Sequence, residues 1–237
     1  MVPALSRPTA PVTSPAPVRV DGVRNLRDAG GVGALPPGTL FRSGALHALA
    51  PDGARQLAAL GIRTVVDLRS RPEAAERPDA LHGVGIAHAH VPVFAERGWP
   101  AGQPELYEAM AGRAGHATLA VLRRLTAEGA EDGGPVLVHC ASGKDRTGVV
   151  VAAVQSLFGA SGAEVTADFV RSNAELGLSA APLTSEAMPG HNTLPVAPAH
   201  LLAALRWIRA HHGSLPAWLR AHGATERELA ALPPTAV

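Results

Sequence analysis

Cys140 and Lys144 are the only cysteine and the only lysine in the chain, and they lie four positions apart. They sit in Val138-His139-Cys140-Ala141-Ser142-Gly143-Lys144-Asp145-Arg146-Thr147-Gly148, where an apolar run delivers a cysteine and an arginine five residues later opens a helix. Two glycines let such a loop curl tightly. A curled loop that feeds a helix N-terminus points successive backbone N–H groups at one centre and makes an anion nest of phosphate size. Ala141, Ser142, Gly143 and Lys144 are the expected phosphate-binding positions, and Arg146 adds two parallel donors to an oxyanion. The Cys140 thiol is expected beneath the nest. Helix N-termini and adjacent cations bring cysteine thiols from near ~8.5 into the range ~3.5–7.5. A shift of ~3 units favours the anion by about 4 kcal/mol, which separates a nucleophile from an inert buried thiol. Lys144 adds charge beside the phosphate, and its flexible stem is expected to reach outward to a second anionic group.

The string His139-Cys140-x-x-Gly143-Lys144-Asp145-Arg146-Thr147-Gly148 extends the C-x5-R signature of cysteine-dependent phosphatases. It resembles the bacterial tyrosine-phosphatase-like family whose members include dual-specificity and phosphoinositide phosphatases. Asn25 to Gly31 (NLRDAGG), Phe41 to Gly44 (FRSG), Leu60 to Arg69 (LGIRTVVDLR) and Val165 to Phe169 (VTADF) are similar to further blocks of that family in the same order. The resemblance implies a two-step reaction. Cys140 attacks phosphorus and becomes phosphocysteine, Arg146 and the loop amides stabilise the equatorial oxygens, and Thr147 hydrogen-bonds the departing thiolate. Neither metal nor cofactor is implied, because the nest does the electrostatic work. Many relatives elsewhere in the superfamily carry their acid on a Trp-Pro-Asp loop. Here Trp99-Pro100 is followed by Ala101. The resemblance therefore favours Asp145 as the acid. Asp67 is the alternative: an acid, a carboxylate that fixes Arg146, or the cap of a turn.

These residues need a scaffold that presents them together. Thr39 to Ser43, Thr64 to Leu68, Ile86 to Val93 and Pro135 to Val138 read as strands. Helices are predicted over Pro51–Leu60, Glu105–Glu128 with a break near Gly112–Gly115, Arg146–Phe158, Val165–Glu175 and His200–Ala210. A short helical pair follows over Trp218–His222 and Thr225–Ala231. Strand–helix alternation implies one α/β domain with a mostly parallel central sheet flanked by helices. Sites in such sheets lie at the carboxyl ends of strands, where both Asp67 and Cys140 fall. Residues 1–17 read as a Pro/Ala-rich disordered tail and 18–237 as the domain. Residues 176–196, with no clear period, suit a lid.

Composition narrows the alternatives. The chain has 237 residues, 46% hydrophobic, with 21 basic against 20 acidic residues. Near-neutral charge argues against a nucleic-acid partner or a polybasic membrane binder. One cysteine excludes an intramolecular disulfide and a multi-cysteine metal site. His88 and His90 have metal-like spacing but no third ligand is apparent, so no metal is expected. Arg27, Asp28 and Arg42 read equally as ion-pair or substrate residues. No apolar run of transmembrane length is present, and the prolines break every candidate signal peptide, so a cytoplasmic location is expected, with export by a route lacking a signal peptide left open. The expected partners are a phosphorylated protein or phosphoinositide substrate and inorganic phosphate as product. The competing reading is a phospho-ligand-binding module without turnover.

Overall fold

The structure is a computed structural model that describes residues 19–100, 102–126, 133–178 and 194–234. The predicted tail, residues 1–17, and most of the predicted lid, 179–193, lie outside the described residues. Five strands form one sheet in the order β1-β2-β5-β3-β4. They are β1 (Arg27–Asp28), β2 (Leu40–Ser43), β3 (Thr64–Asp67), β4 (Ala87–His90) and β5 (Val136–His139). Only β1 runs antiparallel to its neighbour. The helices are α1 (Pro51–Ala59), α2 (Arg71–Glu76), α3 (Gln103–Ala111), α4 (Gly115–Thr126), α5 (Asp145–Leu157), α6 (Gly162–Leu176), α7 (Pro198–His212), α8 (Leu215–Ala221) and α9 (Glu226–Ala230).

The two-residue strand period splits the core. Leu40, Val66, Val136 and Val138 face the large cluster under α3 to α8. Phe41, Val65 and Leu137 face a smaller one with Leu57 of α1. Strands buried on both faces read as continuous apolar runs, and Val136-Leu137-Val138 does so. β4 is largely exposed and short, which suits a sheet edge. The expected strand from Ile86 to Val93 stops at His90.

α5 buries every residue except Ser156 and forms the middle of the helical layer. Its Gly148 lets α6 approach, since a Cβ there would lie 2.7 Å from the Phe169 ring. α6 starts three residues before its predicted position because Ser161 and Glu164 form a reciprocal capping box. Asn173 of α6 holds the segment before α7, bonding both the N–H and the carbonyl of Val196 at 2.8 Å. No described helix is long and apolar enough to cross a membrane.

Candidate active site

The loop from Cys140 to Lys144 joins the carboxyl end of β5 to the start of α5. Its peptide planes are set from outside. The carbonyls of His139 and Ala141 accept from Leu68 N at 2.8 Å and Ala45 N at 3.1 Å. A His139 ring nitrogen lies 3.2 Å from the Cys140 carbonyl. The Asn25 amide donates to Ser142 and Gly143, each at 3.0 Å. Arg42 donates to Gly143 at 2.7 Å and Lys144 at 3.3 Å. Carbonyls tied outward turn the intervening N–H groups inward, and those of Ala141, Ser142 and Gly143 donate to nothing among the described residues. Gly143 is in the left-handed region at φ 70° and presses against the Ser43 carbonyl, so a side chain has no room there. Cys140 is buried below this loop, 2% exposed.

Arg146 opens α5 and reaches across to α2. Its Nη1 and Nη2 donate to Glu73 at 2.6 and 2.8 Å, and its guanidinium lies 5.2 Å from the centre of the Trp99 ring. Glu73 is the N3 residue of α2 and also closes a capping box with Ser70. Burial pushes Glu73 up, but Arg146 and the Ser70 bonds outweigh it and bring its pKa down to about 2. Burial opposes the Arg146 charge as well, yet Glu73 and the nearby Cys140 raise its pKa.

Asp145, the first residue of α5, accepts from the Tyr107 hydroxyl at 2.6 Å. That bond engages Oδ1. The Lys144 ammonium lies 3.7 Å from Oδ2, is fully buried and donates to the Leu194 carbonyl. The outward reach expected for Lys144 is therefore corrected: its stem runs inward, where burial lowers its pKa against the pull of Asp145 and Cys140. Thr147 Oγ1 is buried and has no hydrogen-bond partner among the described residues.

A family model for the tyrosine phosphatase family matches residues 18–235. The chain belongs to the tyrosine phosphatase family. Among curated relatives it is 33% identical over 189 residues to the triple specificity protein phosphatase PtpB of Mycobacterium tuberculosis, covering 64% of this chain and 67% of PtpB. It is 27% identical over 146 residues to a tyrosine-protein phosphatase of Nostoc commune, covering 57% of this chain and 49% of that one. The aligned region thus spans about half the Nostoc enzyme. Among solved structures it is similar to P. aeruginosa TpbA at 19% identity, covering 85% of this chain and 92% of that one, with a TM-score of 0.46. This tyrosine phosphatase family member is a cysteine-dependent phosphoric monoester hydrolase with a single α/β domain.

In this phosphatase Asp67 stands apart from the loop's donors. It is fully buried and accepts from the backbone and side chain of Arg69, with Arg69 Nη2 at 2.7 Å. Burial would raise its pKa, but those bonds and His139 lower it. These partners enclose the Asp67 carboxylate on the side of Arg69 and His139. The carboxylate on Arg146 is Glu73, which the sequence reading missed. Asp67 turns the chain after β3, the third of its expected roles.

Arg69 also donates to Asp79 at 2.9 Å, and Asp79 lies 2.8 Å from His139 Nε2 and 3.1 Å from His88. Asp67, Asp79, His88 and His139 are close enough together to hold a cation. The Arg69 guanidinium already bridges both carboxylates, which opposes a second positive charge. His90 instead faces the Arg69 carbonyl at 2.8 Å. Arg27 and Arg42 prove structural. Both pair with Asp168 of α6, at 2.7 and 2.6 Å, while Asp28 holds the N–H groups of Gly30 and Gly38.

One cleft opens beside Asp145 and Arg146. It encloses about 120 Å³ and is walled by Phe94, Trp99, Leu106 and Met110, with Glu73 at its edge. Its polar groups are two carboxyls, Asp145 and Glu73, and the Arg146 guanidinium, which is paired with Glu73.

Proposed function

We propose that the enzyme prefers aryl phosphate monoesters, phosphotyrosine above all, and also accepts phosphoserine and phosphoinositides. The observation that carries this reading is the loop over Cys140, with the carbonyls of His139, Ala141, Ser142, Gly143 and Lys144 bound outward. Amides aimed at the equatorial phosphoryl oxygens need no reorganisation as charge develops. The Cys140 thiolate attacks phosphorus while the P–O bond to the leaving group breaks. Asp145 gives its proton to that oxygen as the ring departs through the apolar cleft. The Asp145 carboxylate then takes a proton from water, whose oxygen attacks phosphorus. The S–P bond breaks, phosphate leaves, and Thr147 donates to the thiolate that returns. Arg146 follows the transferring group, with Glu73 setting its plane. Ala141, Ser142, Gly143 and Lys144 contribute through their N–H groups.

The broad range draws support from the relative named for triple specificity. A reactive thiol keeps its reduced form best in the cytoplasm, which supports that location. A phosphate-release panel over phosphotyrosine, phosphoserine and phosphoinositides, without added metal, tests the reading. Release is expected from all three, fastest from phosphotyrosine. Release only with a divalent metal, or none from phosphotyrosine, overturns it.

A further inference from the structure

Tyr107 is the only tyrosine in the chain. It lies on α3, fully buried, with its ring edge-on to Phe169 of α6 and stacked on His200 of α7, at centroid distances of 6.0 and 5.3 Å. A phenylalanine would fill the same space without enclosing a polar atom, and a buried hydroxyl costs stability unless it is hydrogen-bonded. The partner of this hydroxyl is Asp145 Oδ1, at 2.6 Å. Burial first, then Asp145 and Cys140, raise the Tyr107 pKa well above its ordinary value. The hydroxyl therefore keeps its proton and acts as a donor.

α3 meets the apolar cleft with other residues. Leu106 and Met110 form part of the wall and Asp145 lines it, whereas Tyr107 does not. The hydroxyl thus holds Asp145 without meeting what occupies the cleft. A second group acts on the same carboxyl, since the Lys144 ammonium lies 3.7 Å from Oδ2. The chain's only lysine and only tyrosine both come to Asp145. At that distance the ammonium acts as a point charge, whereas the short O–H bond is directional.

We infer that Tyr107 is a positioning residue for the phosphatase reaction, its hydroxyl holding the Asp145 carboxyl towards the leaving-group oxygen against the pull of Lys144. The inference rests on the reading of Asp145 as the general acid. Proton transfer needs the acid within hydrogen-bond reach of the oxygen that departs. Without the hydroxyl the carboxyl is free to turn towards Lys144, and the loss falls on proton transfer, not on phosphate binding. It is greatest for a leaving group that needs a proton and least for one that departs as an anion.

The test measures kcat/KM for aryl phosphates of graded leaving-group acidity, from phenyl to p-nitrophenyl phosphate, in the wild type, Tyr107→Phe, Asp145→Asn and the double variant. Tyr107→Phe should lower kcat/KM for phenyl phosphate about tenfold, or ~1.4 kcal/mol, and leave p-nitrophenyl phosphate and inhibition by inorganic phosphate nearly unchanged. In the Asp145→Asn background it should add no further dependence on the leaving group, because the two groups act as one unit. An equal loss across the series would report a disturbed core and overturn the inference, and so would an added leaving-group effect in the double variant. A graded loss in Asp145→Asn with none in Tyr107→Phe rejects the positioning role alone. No graded loss in Asp145→Asn rejects the acid itself, and the positioning role falls with it. A second measurement reads the contact apart from turnover. With one tyrosine in the chain, 3-fluorotyrosine incorporation gives a single 19F resonance for the folded protein. That resonance should move in Asp145→Asn and stay in place in Glu226→Gln, a change on the exposed face of α9. A resonance that ignores Asp145→Asn would show that the hydroxyl does not hold the carboxyl in solution and would overturn the inference.

Discussion

Glu73 and Arg146 meet through two parallel hydrogen bonds, of 2.6 and 2.8 Å, although 73 positions separate them in the chain. The pair ties the first turn of α2 to the first turn of α5, so the guanidinium proposed to follow the phosphoryl group is held in plane. Glu73→Gln should lower kcat/KM for p-nitrophenyl phosphate about tenfold, through loss of transition-state stabilisation. The same variant carries a pH signature. Glu73 falls from 4.5 to about 2 on folding, so its contribution to stability is complete above about pH 4.5 and disappears as pH falls through 2. The difference in Tm between wild type and Glu73→Gln should be widest above pH 4.5 and close towards pH 2. A constant difference across that range would mean that Glu73 does not act as a paired carboxylate.

Cys140→Ser tests the nucleophile. An alcohol is not ionised by the nest, so turnover should fall by several orders of magnitude while phosphate binding persists. Iodoacetate and orthovanadate should inhibit the wild type and EDTA should not. Full turnover by the serine variant would exclude the thiolate route.

Asp145 and Asp67 are separable by leaving group. Asp145→Asn should slow phosphotyrosine far more than p-nitrophenyl phosphate, because nitrophenolate departs with little need of a proton. Asp67→Asn should show no such dependence. It should instead destabilise the fold by about 3–5 kcal/mol, as expected when one partner of a buried ion pair is removed. Denaturant melts and a two-substrate assay on both variants decide the matter, and a leaving-group effect confined to Asp67→Asn would reverse the assignment.

Gly148→Ala sets two effects against each other. Alanine favours a helix interior over glycine by about 0.8–1.0 kcal/mol. The new methyl would meet the Phe169 ring at 2.7 Å, and such overpacking costs about 1–3 kcal/mol. The clash should win, because Phe169 is 1% exposed and a flat ring has nowhere to turn. A lower denaturation midpoint is expected, and a higher one would show that α6 can shift freely.

The loop, its strand and its helix were legible because their signals are local: an apolar run, two glycines and a helix start within a dozen residues. The residues that hold the loop were not. Asn25, Arg42, Glu73 and Tyr107 come to it from 38 to more than 100 positions away, and no period in the chain announces such meetings. Glu73 alone left a trace, since Ser70-Arg71-Pro72-Glu73 spells a capping box with proline at the helix start. α2 escaped notice because it is a single six-residue element with no buried residue, hence no apolar stripe. Lys144 was misplaced for a different reason. Composition marks it as unusual, but the direction of its stem depends on Leu194, fifty residues downstream.

The sheet order places β5, the last strand made, between β2 and β3. Those two earlier strands have no ladder with each other; each pairs with β5. A nascent chain emerging from the ribosome therefore carries two open sheet halves until Val136–His139 appears and joins them. Distant pairings of this kind form slowly, because the intervening chain must first be closed into a loop. The insertion that completes the sheet also delivers the loop that follows Cys140 to Asn25 and Arg42. Assembly and competence are thus one event: a partly folded chain has no oriented loop, and its thiol becomes a phosphatase nucleophile only when the keystone strand is in place.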